Sequence, residues 1–404
     1  MSAETETVTP APDAEIAERI APGVMLRRLA RGELGSIRVL LGIAVIWTIF
    51  QIANDRFLSA GNLTNLSLQV AAVATISIGV VLVLLLGEID LSVNAVSGLG
   101  AAVMAVLSVK EGLDPGLAIL AGLGVGCAIG MFNGFMVTTF GIPSFVVTLA
   151  GLLAWQGAQL AVLGDTGSVN LPDSIITDLT STFFDPAVGW ALGAAATAAF
   201  AVSLFMGRAK RVSAGLEAEP VAVVVARIVL VAVAILATVY VLNEDRGVPL
   251  VVVIVVSLTV FFTFLTERTR WGRHVFAVGG NEEAARRAGI RVNRIKMTVF
   301  ALASTLAAAG GVLAASRLLS VNQQSGSGDV LLLAIAGPVI AGTSLFGGRG
   351  FIWSALLGAL VIGSISNGMD LLGLDSDIKF MITGGVLLLA VTIDAVTRRQ
   401  RQSA

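Results

Sequence analysis

A chain made of repeated apolar runs, each about as long as a bilayer is thick, has few folds open to it. Hydrocarbon offers no partners to backbone N–H and C=O groups, so each run must satisfy itself as a helix or join a closed barrel. A run of about 17 to 25 apolar residues reads as a spanning helix. By that measure the 404-residue sequence predicts twelve spans, over 37–53, 66–86, 93–109, 115–137, 143–163, 187–206, 221–242, 248–265, 297–315, 331–346, 351–368 and 379–396. Pro115, Pro143, Pro186, Pro220 and Pro249 stand at or just before span starts, where a missing N–H is harmless. Only 13% of residues are charged, against about 25% in soluble domains. The expected fold is an all-α polytopic membrane protein of about twelve transmembrane helices. Residues 1–35 form a polar N-terminal tail, 36–398 the membrane domain, and 399–404 a short C-terminal tail.

Lys and Arg set the expected orientation, because they accumulate on the cytoplasmic side. With both termini cytoplasmic, the inner segments carry 20 basic residues and the outer segments five: Arg56, Lys110, Arg246, Arg317 and Lys379. Arg227 lies within a span near its inner end, close enough to snorkel. The longest outer loop, 164–186, holds Asp165, Asp173, Asp178 and Asp185 but no Lys or Arg. One cysteine (Cys127) and one histidine (His274) exclude an intrachain disulfide and multi-histidine metal sites. No metal, cofactor or nucleic-acid partner is expected. The acidic opening stretch is the reverse of a positive n-region, so no cleavable signal peptide is expected.

The largest cytoplasmic segment, 266–296, contains eight Arg or Lys residues. At its centre Gly279-Gly280-Asn281-Glu282-Glu283-Ala284-Ala285-Arg286-Arg287-Ala288-Gly289 is patterned as a short capped helix. Asn281 is the N-cap, acids fill the first turn, arginines follow, and Gly289 is the stop. Ala284, Ala285 and Ala288 should share one small flat face that another protein could cover. A membrane protein that holds such a helix out of the bilayer offers a handle to a soluble partner.

Two further motifs interrupt the apolar runs. Gly87-Glu88-Ile89-Asp90-Leu91-Ser92 places two carboxylates between spans. It reads either as a plain turn in which Asp90 or Ser92 caps the next helix, or as a break beside a transport path. The run from Gly337 to Gly350 combines Pro338, which should kink its helix, with a Gly-rich reversal carrying Arg349. No Gly-x-x-x-x-Gly-Lys-Ser/Thr occurs, and none of the four lysines follows a glycine. The chain therefore shows no nucleotide-hydrolysis site of its own and reads as non-catalytic. Polar residues at membrane depth, namely Asn94, Asn133, Gln156, Gln159 and Asn367, serve helix–helix hydrogen bonding or line a path for a hydroxylated solute. With Glu88, Asp90 and Ser92, the residues Asn94, Asn133, Gln156 and Asn367 make up the candidate path.

Taken together, GEIDLS, AIAGPVIAGTSLFGGRG and GGNEEAARRAGI resemble the permease subunits of bacterial ATP-binding-cassette importers for monosaccharides, the ribose, arabinose, galactose and xylose group. The resemblance covers about residues 37 to 396. It implies a multi-pass protein of the bacterial cytoplasmic (inner) membrane that pairs with a cytoplasmic ATPase and an extracytoplasmic sugar-binding protein, as one half of a permease dimer. It also implies that Glu283, Ala284, Ala285, Arg286, Arg287 and Gly289 belong to the helix that couples to the ATPase. In this chain Glu88 stands where the family usually has a second glycine, and region 207–247 is longer than in ribose-type members. That length is similar to xylose-type and multiple-sugar permeases, so xylose or related aldoses are the expected substrates. The rival reading in transport is a proton-coupled secondary sugar carrier, against which the spans show no second carboxylate or histidine for a relay. A membrane enzyme acting on lipid-linked sugars would need acidic loops with basic partners, which the 164–186 loop lacks.

Overall fold

The computed structural model describes residues 35–385 together with Leu388 and Thr392. Residues 1–34 of the expected N-terminal tail, half of the twelfth span and the C-terminal tail lie outside the described residues. In chain order the helices are α1 (Gly35–Ala53), α2 (Ala60–Leu85), α3 (Val93–Val109), α4 (Pro115–Phe140), α5 (Ser144–Leu163), α6 (Ile175–Ser181), α7 (Pro186–Ser213), α8 (Val221–Asn243), α9 (Leu250–Arg268), α10 (Arg270–Gly280), α11 (Glu282–Arg287), α12 (Val292–Leu318), α13 (Gly328–Ile340) and α14 (Trp353–Leu371). A further helical stretch begins at residue 376. Eight of these are long and apolar enough to cross a membrane: α2, α4, α5, α7, α8, α9, α12 and α14. The first, third and tenth expected spans coincide with shorter apolar helices.

Helix α12 is the hub. It packs along α4, α2 and α3, while α14 lies against α2 and α13. Small residues make this approach possible: Ala303, Ala307, Ala308, Gly310 and Gly311 are all buried on α12. Lipid tails are as apolar as leucine, so helices associate here through close contact and not through hydrophobicity alone.

Several boundaries differ from the sequence expectation. Helix α2 starts at Ala60, six residues early, because Ser59 caps it by accepting from the Asn62 N–H and its polar first turns sit at the helix end. Helix α13 stops at Ile340, two residues past Pro338, not at 346, because the chain turns through Gly342 at φ 105°. The fold is also not purely helical. Ser168–Asn170 (β1) pairs antiparallel with Ser320–Asn322 (β4), and Phe183–Phe184 (β2) with Val248–Pro249 (β3). These ladders and α6 order what the sequence presented as a plain loop at 164–186. Thr180 and Ser316 hydroxyls bond at 2.8 Å across the same end. Arg246 there bonds Asn65 and lies over the Phe183 ring.

Candidate functional site

The opposite end carries the site. Helix α11 forms as the sequence indicated. The Asn281 side chain accepts from the Ala284 N–H at 2.9 Å, and Gly289 takes φ 81°, a left-handed stop that glycine adopts without a Cβ clash. Glu282 pairs with Arg286 at 2.8 Å and Glu283 with Arg287 at 3.0 Å, both one turn apart. Glu283, Arg286 and Arg287 point outward. The expected alanine face needs correction: Ala285 is buried in the chain's own core beside Val275, Val278 and Val292, so only Ala284 and Ala288 are exposed.

Ahead of it, α10 was not foreseen as a helix. Its signal is Trp271, Val275 and Val278 at helical spacing after a Thr269 cap. Val275 and Val278 are buried, and Trp271 donates to the Thr298 hydroxyl of α12 at 2.9 Å. This amphipathic helix lies along the end of the bundle and holds α11 against it.

The GEIDLS segment is a strap between α2 and α3 whose backbone is satisfied by α5. Ile89 N–H donates to the Ser144 hydroxyl at 3.2 Å, and Leu91 N–H to the Thr148 hydroxyl at 3.0 Å. Irregular backbone at this depth persists because neighbouring protein supplies the partners that lipid cannot. Ser92 occupies the N-cap position of α3 but makes no side-chain cap bond, contrary to the capping expectation. Its hydroxyl instead donates to Asp90 Oδ1 at 2.6 Å, and its N–H donates to the same oxygen at 2.8 Å. Asn133 of α4 donates to that hydroxyl at 3.2 Å.

The structure therefore gathers Asp90, Ser92 and Asn133, with Asn94 in the first turn of α3. Asp90 Oδ2, Asn94 Oδ1, Asn133 Oδ1 and the nearby Trp155 Nε1 are buried without a hydrogen-bond partner among the described residues. The other candidates fall elsewhere. Asn367 joins Asn62 and Gln69 in a separate network. Gln156 sits half-buried on α5, where its neighbour Gln159 makes the structural bonds, donating to the Asn322 and Ser325 carbonyls at 3.0 and 2.9 Å.

Glu88 belongs to a third cluster that the sequence did not reveal. Lys296, in the second turn of α12, places its ammonium 2.6 Å from Glu88 and 2.8 Å from Glu282. Burial works to raise the Glu282 pKa. The Lys296 ammonium, with Arg286 behind it, outweighs burial and holds the carboxyl below its ordinary value. A cleft of roughly 550 Å³ opens beside this cluster, lined by Glu88, Glu282, Arg286, Asn293, Lys296 and the 137–144 segment. Only the acidic residue and the short helix were visible beforehand. Their lysine partner lies 208 positions from one and 14 from the other, a separation that no local pattern encodes.

A bundle of long apolar helices, a polar break stitched into its interior and a short charged helix held at one end are the parts of a polytopic membrane permease. The chain belongs to the family described as "Branched-chain amino acid transport system / permease component", whose model matches residues 62–391, and it is a multi-pass protein of the bacterial inner membrane. It is 35% identical over 358 residues to the xylose transport system permease protein XylH of Escherichia coli, covering 89% of this chain and 91% of that protein. It is 32% identical over 363 residues to the ribose import permease protein RbsC of Bacillus subtilis, covering 90% and 94% respectively. These likenesses bear out the resemblance carried by the three motifs. No solved structure matches the chain.

Proposed function

We propose that this chain is the membrane subunit of an ATP-driven monosaccharide importer, with xylose or a related aldose as its solute. In this reading both termini and the 266–296 segment face the cytoplasm. Two permease subunits form the path, an extracytoplasmic binding protein delivers the sugar, and a cytoplasmic ATPase docks on α11. The observation that carries the reading is α11 itself: a capped helix with Glu283, Arg286 and Arg287 exposed, on a chain without a nucleotide-hydrolysis motif. The names of the relatives favour a pentose, and XylH has the higher identity of the two compared above.

For the path, the unpartnered atoms around Ser92 are suited to solute hydroxyls, which both donate and accept. Glu88, Asn367 and Gln156 stand outside that group and are the weaker path candidates.

The test is D-xylose accumulation in proteoliposomes holding the chain with its ATPase and binding protein. Accumulation driven by internal ATP, and absent without either partner, supports the proposal. Accumulation by the chain alone under a pH gradient would instead establish a proton-coupled carrier.

A further inference from the structure

The Lys296 cluster sits where three otherwise separate parts of the chain meet. Helix α11 supplies Glu282, the strap between α2 and α3 supplies Glu88, and the hub helix α12 supplies the lysine that touches both. The contact is sheltered: the lysine side chain is 11% exposed and that of Glu88 17%. The backbones behind it already touch. A Cβ at Gly279, just ahead of α11, would overlap the Leu85 carbonyl at the end of α2. That same carbonyl accepts from the Gly348 N–H at 2.9 Å.

We propose that Lys296 is the positioning residue that ties α11 to the strap, so that a push on α11 displaces the strap and the start of α3. This rests on the reading of α11 as the ATPase-docking helix. Three features support it. First, the strap continues directly into Asp90 and Ser92, the polar group buried within the bundle, so motion of Glu88 reaches Asp90 across one intervening residue, Ile89. Second, the tie depends on the sign of charge. One ammonium bridges both carboxylates, and without it Glu282 keeps Arg286 while Glu88 faces that carboxylate with no cation between them, so the strap loses its hold on α11. Third, the adjoining cleft gives the strap side of the cluster open volume into which to move. The exposed pair Glu283–Arg287 on the same helix links nothing beyond α11.

Two measurements on the full chain test the tie and its use. In lipid nanodiscs, hydrogen exchange should rise about tenfold or more in both 86–92 and 281–290 for Lys296→Met, since a local opening loses its closing contact. Lys296→Arg should largely restore protection, because guanidinium can still bridge two carboxylates. Glu282→Gln, at the more exposed side of the cluster, should loosen 281–290 while sparing 86–92. Loosening confined to the first turns of α12 in Lys296→Met would overturn the inference.

In proteoliposomes with the ATPase and binding protein, Lys296→Met should retain the ATPase but lower D-xylose uptake per ATP about tenfold. Unchanged uptake per ATP would overturn the inference and leave α11 as a docking helix. A wild-type chain that binds no ATPase would remove the functional reading itself.

Discussion

The hairpin α7–α8 and the hub helices α2 and α12 are built from equally apolar sequence and end in opposite environments. Helix α8 is the most apolar of the eight long helices, yet only 6% of its most apolar stretch is buried. The corresponding share is 78% for α2 and 61% for α12. In water the ranking would be reversed, because apolar residues would be driven inward. In lipid, apolarity only licenses a helix to be present, and close approach decides which helices form the interior. In the hub, α12 packs through buried alanine, glycine and serine, and α2 buries Thr64, Thr75 and Ser77 among valine, leucine and isoleucine. Within the hairpin, α8 turns valine, leucine and isoleucine outward, with Val229, Leu230 and Val233 exposed, while α7 is as rich in alanine and glycine as α12 and is still mostly exposed, so small residues permit close packing without dictating it.

The comparison breaks most sharply on one helix. On α4, Gly130 faces the Phe300 carbonyl and the Ala301 backbone of α12, while Gly124 has open space where a side chain would go. Gly130→Val should cost about 3 kcal/mol or more, because backbone cannot yield as a side chain does, and folded protein should be lost in size-exclusion analysis. Gly124→Val should stay within about 0.5 kcal/mol of the parent. Equal losses in the two variants would remove the distinction between a packed and a lipid-facing side.

Charges sharpen the same contrast. Lys296→Met strands the sheltered Glu88 at the hub, Glu282 keeping its pair with Arg286, and should cost about 2–3 kcal/mol in thermal or denaturant stability. Arg227→Met at the hairpin breaks an exposed 3.0 Å pair with Glu219 and should cost under about 0.5 kcal/mol. On α11, Ala285→Leu should destabilise by about 1–3 kcal/mol through overpacking. Ala284→Leu should be neutral to folding within about 0.5 kcal/mol while weakening ATPase co-purification.

The smallest effect is one of pH. A carboxyl held below its ordinary value of 4.5 adds stability above that value and loses it as pH falls through its folded-state pKa. The stability difference between wild type and Glu282→Gln should therefore persist at neutral pH and shrink in acid. A difference that grows on acidification would mean the carboxyl is raised, not lowered.

Much of this architecture was legible in the sequence, because each spanning helix and the α11 cap are local patterns. The Asn281 cap, the Gly289 stop and the strap at 87–92 are each written in a few adjacent residues. What stayed hidden is what lies far apart in the chain: the β1–β4 ladder, the Ser144 and Thr148 bonds to the strap, and Lys296 between Glu88 and Glu282. Burial of Ala285 was misjudged for a related reason. The missed helix α10 folds beneath α11 and takes one of its faces. Candidate path residues were chosen by polarity alone, which does not separate the Asp90–Ser92–Asn133 group from the structural network of Asn367.

The most direct test reverses the exposed charges of α11 with Glu283→Arg, Arg286→Glu and Arg287→Glu together, and follows D-xylose uptake in vesicles containing the ATPase and binding protein. The account predicts a folded, membrane-inserted chain that no longer binds the ATPase and no longer accumulates sugar. Uptake at the wild-type rate from that variant would contradict it.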